Sequence, residues 1–505
     1  MENDIQKKFL EYVKKINHYK QAMALMAWDS RTGAPKAGVP QRAEVLGTLS
    51  AEVFAMSVSD QMKDMLAALD KATDLSDIVK KSKEHCQKTY DRNTKIPADE
   101  FKAYVMLQST AESVWEEAKE KNDFAMFQPY LEELVSYNKK FIEYRGYEGH
   151  PYNTLLDDYE PGVFTDTLDR VFAELKTALI PLVKKVSDAK KQPNTAPLYA
   201  YFPKENQEKL SHAVLTHIGY NFDKGRLNET VHPFAIGINP NDVRVTTKYN
   251  EHDFRVALLG TIHEGGHALY EQNIDHELIG TPLSGGTSMG IHESQSLFFE
   301  KFVGQSLPFW KNVYPILKQH AGSQFDDVEL EDFYFALNES RPSLIRIEAD
   351  ELTYCLHIIL RYELEKGLFE GTIEVKDLPR LWNDKMEEYL GIRPENDGEG
   401  VLQDVHWSSG SFGYFPSYAL GSYALGYIYA AQMKQAMLND LPNFDQLLEQ
   451  EQIGVIRQWL TKHVHRFGSL KKPQEIIADI TGKSIDAKPL LSYLTEKYSN
   501  LYELS

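Results

Sequence analysis

Residues 251–273, EHDFRVALLGTIHEGGHALYEQN, carry most of what this sequence predicts about fold and chemistry. The stretch is predicted to form a helix, with Glu251 or Asp253 at its positive N-terminal end. Its apolar surface would come from Phe254, Leu258, Ile262, Leu269 and Tyr270. His263 and His267 are four residues apart, so a helix places both imidazoles on one face. Their ring nitrogens can then converge on one cation.

The residues between the two histidines are equally informative. Glu264 is rotated away from the line of ligands, where its carboxylate can act as a base toward a water bound to the metal. Gly265 and Gly266 are poor helix formers, and each costs about 1 kcal/mol relative to alanine. A helix that keeps both glycines is expected to be closely approached by another group.

A third ligand is available 26 residues after His267, in GIHESQSLFFEKF, which is predicted to begin another helix. Glu293 in this segment would give two histidines, one carboxylate and a water, the arrangement typical of a catalytic zinc site with an open position. His292 and His276 are the competing ligands. The residues alone leave that choice open.

Most of the chain is predicted to be helical, and one segment is not. The helical stretches are residues 98–124, 131–145, 166–191, 333–368 and 418–438. Glycine and proline mark breaks at 32–41, 145–153 and 391–400. Residues 232–250, HPFAIGINPNDVRVTTKYN, alternate β-forming residues around NPND and predict a small hairpin whose second strand covers 243–247. We therefore predict one mainly α domain, residues 1–505, with a small sheet beside the metal-binding helix.

Composition excludes several classes of function. Among 505 residues, 55 are basic and 74 acidic, and the net charge of −19 argues against a nucleic-acid partner. No apolar run is long enough for a membrane span, and the charged N-terminal segment does not resemble a secretory signal. Cys86 and Cys355 are predicted to be buried free thiols, which favours the cytoplasm.

Six motifs follow one another along the chain. They are His232-Pro233-Phe234, Asp242-x-Arg244-x-Thr246, His263-Glu264-x-x-His267, His292-Glu293-Ser294-Gln295, Ile345-Arg346-x-x-Ala349-Asp350 and Gly400-x-x-Gln403-Asp404-x-His406-Trp407. The stretches AWDSRTGAPKAG around Trp28 and GYFPSYALGSYALG from Gly413 accompany them. In these motifs, and over essentially its whole length, the chain resembles the carboxypeptidase Taq family of metal-dependent carboxypeptidases.

The resemblance implies a fold, an activity and an assembly. The fold would be an elongated helical body with a deep central groove, as in angiotensin-converting enzymes and neurolysin-like oligopeptidases. The activity would be removal of single C-terminal residues from peptides with a free C-terminus. The family also implies zinc, or cobalt, held by His263, His267 and Glu293, and a homodimer.

The chemistry of peptide hydrolysis assigns candidate catalytic roles. Glu264 would take the proton of the attacking water and later give it to the leaving amine. The oxyanion needs hydrogen-bond donors. His406 and a tyrosine of GYFPSY, Tyr414 or Tyr418, are the candidates by resemblance to the family.

Substrate recognition points to arginine, because a guanidinium matches a carboxylate with two parallel hydrogen bonds. Arg346 is the first candidate for the terminal carboxylate. Arg244 is the second, although it could instead hold its strand through Asp242. The strand itself could bind the substrate backbone by strand addition.

Two further features are expected to support the site. Metal-bound histidines generally donate their second N–H to a carboxylate or carbonyl. Glu348, Asp350 and Asp404 are candidates for that role, with no order among them. The glycine-rich loop 285–290, GGTSMG, lacks the lysine of a phosphate-binding loop, and its flexibility could let substrate pass.

Three functional hypotheses remain at this point. The first is a metallocarboxypeptidase, and the second is an oligopeptidase with the same metal chemistry that cuts inside short peptides. The third is a non-catalytic helical scaffold that binds peptides and carries a structural metal. Glu264 argues against the scaffold, because a structural site has no use for a base beside a ligand.

Overall fold

A computed structural model describes residues 2–418 and 424–504, and most of them are helical. In chain order the α-helices are α1 (Glu2–Thr32), α2 (Val39–Ser57), α3 (Asp60–Asp70), α4 (Asp77–Lys95), α5 (Ala98–Lys121), α6 (Phe124–Arg145), α7 (Asn153–Leu156), α8 (Thr165–Ser187), α9 (Lys204–Ile218), α10 (Arg255–Gln272), α11 (Met289–Leu297), α12 (Leu307–His320), α13 (Leu330–Leu337), α14 (Tyr354–Glu370), α15 (Leu378–Leu390), α16 (Tyr414–Tyr418), α17 (Leu425–Asp440), α18 (Phe444–Glu449), α19 (Ile453–His463), α20 (Pro473–Thr481) and α21 (Lys488–Tyr502). A π-helix, Phe298–Gly304, continues α11 directly.

The predicted hairpin is confirmed, and it belongs to a sheet of three strands. These are β1 (Leu227–Glu229), β2 (Ala235–Asn239) and β3 (Asp242–Thr247), in the spatial order β1-β3-β2. β2 pairs with β3 antiparallel, with Ala235 opposite Val245. β1 pairs with β3 in parallel and was not predicted, because three residues are too short to show a periodic pattern. The sheet packs against α10.

Helix α10 begins at Arg255, where the side chain of Asp253 accepts the backbone N–H. Of the two residues considered for this end, Asp253 therefore contacts the first turn, although the N-cap position itself is Phe254. The helix is buried around most of its circumference, between α9, α11, β3 and the π-helix. Ile262, Ala268 and Leu269 have no exposed surface. The HEGGH segment is therefore at the centre of the molecule.

The predicted helical stretch 333–368 is wrong over its middle. The structure has α13 up to Leu337 and α14 from Tyr354, with a loop between them. Pro342 lies in the loop, and a proline disfavours helical backbone at the residue before it. The carboxylate of Asp350 organises the loop by accepting the backbone N–H groups of Arg341, Leu352 and Thr353.

Two hydrophobic cores fill the described part of the chain. The larger one includes side chains from Tyr104 to Tyr502. The smaller one joins α1 to α4 through Phe9, Val13, Ile16, Met56, Met62, Met65, Leu66, Leu69, Val79 and Cys86. Both cysteines are buried and no disulfide joins them, as predicted. Among the described helices, none has the length and apolar character needed to cross a membrane.

Candidate metal centre

Helices α10 and α11 bring His263, His267 and Glu293 together. One ligand atom from each lies within 4.8 Å of the others. The Nε2 atoms of His263 and His267 lie 3.4 Å from Oε1 and Oε2 of Glu293, respectively. Glu293 is 1% exposed, and its Oε1 is buried with no hydrogen-bond partner in the described structure. A cation bound among these atoms would satisfy that oxygen, so the residues fit a metal ion.

Both glycines of HEGGH are closely approached by another group, as the sequence predicted. A Cβ on Gly266 would lie 2.5 Å from the carbonyl oxygen of Gln295 and 2.6 Å from Cα of Ser296, both in the backbone of α11. A Cβ on Gly265 would instead meet the end of the Ile218 side chain at 2.7 Å. Gly266 therefore lets α11 approach α10 closely enough for Glu293 to face the histidines.

A buried carboxylate outside the ligand group orients His263. The Nδ1 atom of His263 lies 2.8 Å from Oε2 of Glu300, which stands in the π-helix. Lys301 donates to the other oxygen of Glu300 at 2.6 Å. Burial alone would raise the pKa of Glu300, but Lys301 and His263 lower it to about 2. Glu300 is therefore ionised and can fix the proton of His263 on Nδ1.

Glu300 was missed from the sequence, and none of the three candidates predicted for this role contacts a metal-site histidine. Glu348 is exposed, Asp350 organises the loop before α14, and Asp404 binds arginines. The sequence did contain an indication of Glu300. This residue follows Glu293 by seven positions, and a helix returns to the same side after that interval. The rival ligand His276 is exposed in a short turn away from the group.

Burial sets the charge of the central side chains. It raises the pKa of Glu264, which is 6% exposed, to about 7. It lowers the pKa of His267 to about 4, so this imidazole is neutral at neutral pH, the form that binds a metal. Burial also opposes the charge on His263, but Glu293 and Glu300 outweigh it and raise that pKa to about 9. Without a bound cation, His263 is therefore protonated beside the carboxylates of Glu293 and Glu300.

A fourth buried carboxylate fixes the start of α11. Glu160 is 1% exposed and accepts hydrogen bonds from the Ser288 hydroxyl at 3.0 Å, the Gly290 N–H at 2.8 Å and the Tyr429 hydroxyl at 3.0 Å. Burial raises its pKa to about 7. Ser288 also caps α11 through the N–H of Ile291. The helix that carries Glu293 is thus held at its first turn.

The metal group, formed by His263, His267 and Glu293, opens into a cleft of about 1380 Å³. His263, Glu264, His267, His292 and Glu293 line its inner end. Its other walls come from α4, the 145–164 region, the start of β2 and residues near 470, and they include Lys88, Arg92, Lys95, Arg145, Tyr159, Phe234, Ala235 and Leu470. The cleft is large enough to hold a peptide.

Arg346 lies outside this cleft wall, in a second buried cluster. It is 2% exposed, and its Nε and Nη2 bond to Oδ1 of Asp404 at 3.0 and 2.8 Å. Its Nη1 also contacts the Tyr354 hydroxyl. Arg361, which the sequence did not single out, binds the other oxygen of Asp404 at 2.6 Å. Two guanidinium groups thus share one carboxylate, which leaves the cluster positively charged.

His406 and Tyr414 adjoin the same cluster. Their rings stack with centroids 4.8 Å apart, and Nδ1 of His406 lies 4.0 Å from Oδ1 of Asp404. Burial lowers the pKa of His406 to about 4. Tyr414 also packs edge-on against Tyr159, which lines the cleft. The side chain of Tyr418 lies outside the described part of the structure.

Arg244 makes the contact that the sequence offered as its alternative role. Its Nε and Nη2 bond to the two oxygens of Asp242 at 2.7 and 2.8 Å. The guanidinium carbon lies 5.6 Å from the ring centroid of Trp28. β3, the strand that carries Arg244, lies between β1 and β2 and is paired on both sides, so the prediction that this strand adds the substrate backbone is wrong. β2 is at the edge of the sheet, and Ala235 at its start lines the cleft.

Paired histidines on a buried helix, with a carboxylate beside the first and another on the next helix, define the metallopeptidases of the HExxH type. Comparison with known proteins agrees with this class. The family model for the carboxypeptidase Taq (M32) metallopeptidases matches residues 8–498.

Individual relatives match along almost the whole chain. Carboxypeptidase 1 of Bacillus subtilis is 56% identical over 500 residues, 99% of each chain. Thermostable carboxypeptidase 1 of Thermus thermophilus is 38% identical over 98% of each chain. The crystal structure of the M32 carboxypeptidase from Deinococcus radiodurans R1 superposes with a TM-score of 0.95 at 34% identity, and covers 99% of this chain and 100% of that one.

The chain therefore belongs to the carboxypeptidase Taq family, and it is a metal-dependent carboxypeptidase that acts on peptides. The mainly α fold with a small sheet is confirmed, since its structural neighbours are carboxypeptidases of the same family. The oligopeptidase and scaffold hypotheses receive no support from these relatives.

Proposed function

We propose that His263, His267 and Glu293 hold a zinc ion and that Glu264 is the general base of the reaction. The observation that carries the proposal is the buried Oε1 of Glu293, which faces Nε2 of His263 and has no hydrogen-bond partner in the described structure. Two imidazoles and one carboxylate suit zinc, and cobalt is the alternative. When bound, the ion would supply Lewis acidity toward a water and the scissile carbonyl.

Glu264 then has two tasks. It accepts the proton of the attacking water and later returns that proton to the leaving amine. A base works best with a pKa near the working pH, and burial raises that of Glu264 toward neutrality. Glu300 keeps His263 in the tautomer that leaves Nε2 available to the cation.

Arg346 is proposed to bind the terminal carboxylate of the substrate. Support comes from the surplus positive charge that it shares with Arg361 around Asp404. Arg244, paired with Asp242 at the sheet, is the second candidate. We further propose that the peptide backbone adds to the edge of β2, next to Ala235 at the cleft.

The oxyanion donors proposed for the reaction are His406 and either Tyr414 or Tyr418. The stacking of His406 on Tyr414, and the contact of Tyr414 with the cleft residue Tyr159, support the first pair. Burial keeps His406 neutral, so one ring nitrogen carries a proton that it can donate.

A mass-spectrometric time course tests this function. One N-acetylated peptide is offered as the free acid and as the C-terminal amide, with zinc-loaded enzyme and with Glu264→Gln as the inactive control. Sequential loss of single residues from the free acid alone is expected. Internal cleavage of both forms, or turnover by the control variant, would contradict the proposal.

We also propose that the chain acts as a single domain over residues 1–505 and forms a homodimer in the cytoplasm, without nucleic-acid or membrane partners. Exposed apolar side chains on α2 and α5 support an interface between copies. They include Val39, Val45, Phe54, Phe101, Val105 and Met106. Two buried cysteines that no disulfide joins are in keeping with a reducing compartment. Light scattering at several protein concentrations should give twice the mass of one chain.

A further inference from the structure

His292 stands directly before Glu293, and its ring contacts the metal group without joining it. Its Nδ1 lies 2.6 Å from Nδ1 of His267. Its Nε2 lies 2.8 Å from Oε1 of Glu271, at the end of α10. The side chains of Glu271, His292 and His267 thus form a row of hydrogen bonds that runs from the carboxylate of Glu271 to Nδ1 of His267.

Only one assignment of protons to the ring nitrogens of His267 and His292 satisfies all of these hydrogen bonds. If His267 binds the cation through Nε2, which faces Glu293, then its Nδ1 carries the proton. That N–H points at Nδ1 of His292, which must therefore be an acceptor. Nε2 of His292 is then the donor, and its N–H bonds to Oε1 of Glu271.

We propose that His292 is a positioning residue, which links Glu271 to His267 and fixes the ring orientation and tautomer of that ligand. The inference rests on the proposed metal site and extends it by one residue outward. It gives His292 a role different from that of the rival ligand considered from the sequence. A histidine partner of this kind increases the basicity of the metal-binding nitrogen.

The glycine-rich loop 285–290 leaves room for the proposed link. A Cβ on Gly286 would lie 2.4 Å from Cδ2 of His292. The N–H of Gly286 donates to Oε1 of Glu271 at 3.2 Å. On the other side, a Cβ on Gly237 in β2 would lie 2.8 Å from Oε2 of Glu271. Both glycines thus let backbone pack directly against the two side chains that stand behind His267.

The backbone carbonyl of His292 offers His267 a second acceptor, and its contribution must be distinguished from that of the His292 ring. The carbonyl oxygen of His292 is 3.1 Å from Nδ1 of His267 and could accept the same proton. Substitution of the His292 side chain leaves that carbonyl in place. The effect of a substitution therefore reports on the ring alone.

The test measures zinc affinity by competition with a fluorescent chelator, and the melting temperature of the metal-free protein. His292→Ala should weaken zinc binding by roughly 10–100-fold, with little change in the metal-free melting temperature. His292→Asn should retain most of the affinity, because its amide oxygen occupies the position of Nδ1. His292→Gln should resemble the alanine variant, because its amide nitrogen replaces Nε2 and no acceptor faces His267. Equal affinities for wild type and His292→Ala would overturn the proposal, as would an asparagine variant no better than alanine.

A matched pair of glycine variants tests the same role without changing the histidine. Gly286→Ala should displace the His292 ring and weaken zinc binding, whereas Gly285→Ala should not, since a Cβ there meets nothing within 4 Å. His267→Ala serves as the reference. If that variant binds zinc as wild type does, the metal site itself is wrong. If it loses zinc while His292→Ala and Gly286→Ala do not, only the role of His292 is wrong.

Discussion

Replacement of Gly266 by alanine is the most direct test of how the fold builds its metal site. The new Cβ would lie 2.5 Å from the carbonyl oxygen of Gln295 and 2.6 Å from Cα of Ser296. Ordinary contact begins at 3.4 Å, so the two helices must separate by about 0.9 Å at this point. Both opposing atoms belong to the backbone of α11, which no rotamer change can move aside.

The size of the effect follows from two opposing contributions. Alanine is favoured over glycine in a helix by about 1 kcal/mol, which would stabilise α10. Overpacking of a closely packed interior costs about 1–3 kcal/mol. We therefore expect a net loss of about 0–2 kcal/mol in the free energy of unfolding.

Metal binding should suffer more than stability. Glu293 lies on α11 only two residues before Gln295, so a shift of α11 moves this ligand away from the histidines. Metal sites tolerate deviations of only about 0.2 Å in ligand distance. Zinc affinity, measured by chelator competition, should therefore fall by roughly 10–100-fold, the loss typical when the support of a ligand is disturbed.

Gly265→Ala is the matched control. Its Cβ would meet the ends of the flexible side chains of Ile218 and Leu215, at 2.7 and 2.9 Å, on the side of α10 away from α11. These ends can rotate aside, so we expect zinc affinity close to wild type. If Gly266→Ala binds zinc as tightly as Gly265→Ala does, the close approach of α11 is not what sets the metal geometry.

The remaining predictions concern four buried charged groups. Glu264→Gln should retain zinc and lose several orders of magnitude in kcat, and an active variant would exclude it as the base. Glu300→Gln should lower zinc affinity by roughly 10–100-fold, measured after dialysis, because His263 loses its charged partner. Arg346→Lys keeps the positive charge but loses the planar guanidinium that can make two parallel hydrogen bonds to a carboxylate. Its kcat/KM for free-acid peptides should therefore fall by roughly 10–100-fold. An unchanged value would refute the role of Arg346 in carboxylate binding. Burial raises the pKa of Glu160 from 4.5 to about 7, so the folded protein holds this proton more tightly than the unfolded chain does. The free energy of unfolding of wild type relative to Glu160→Gln should therefore fall by about 3 kcal/mol as the pH rises from about 4.5 to 7, and a pH-independent difference in chemical denaturation would contradict this.

The sequence predicted that His263 and His267 lie side by side because that information is local. The spacing of His263 and His267 fixes their relative direction once a helix is assumed, and Gly266 signals a close neighbour. The hairpin that ends at Thr247 was equally clear, since strand alternation is visible in a few residues. Glu293 needed the resemblance to a family, because nothing in its own segment distinguishes it from His292.

What the sequence did not predict depends on contacts between distant segments. Arg361 meets Arg346 only because α14 passes beside the loop before it, and both reach Asp404 from 43 and 58 residues away. The loop around Asp350 looked helical because its apolar spacing was helical, while the hydrogen bonds that break the helix come from one carboxylate. Periodicity detects neither kind of contact.

The positive charge of the cluster around Asp404 bears on how a substrate would be oriented. Two guanidinium groups share the one carboxylate of Asp404, whereas near His263 the carboxylate of Glu300 is already paired with Lys301. A peptide with a free C-terminus carries its negative charge one residue away from the bond that is cut. If Arg346 binds the terminal carboxylate, as proposed, that contact favours one direction of binding in the cleft. An amidated peptide lacks that charge and loses the preference, so the comparison of the two substrates tests the orientation as well as the activity.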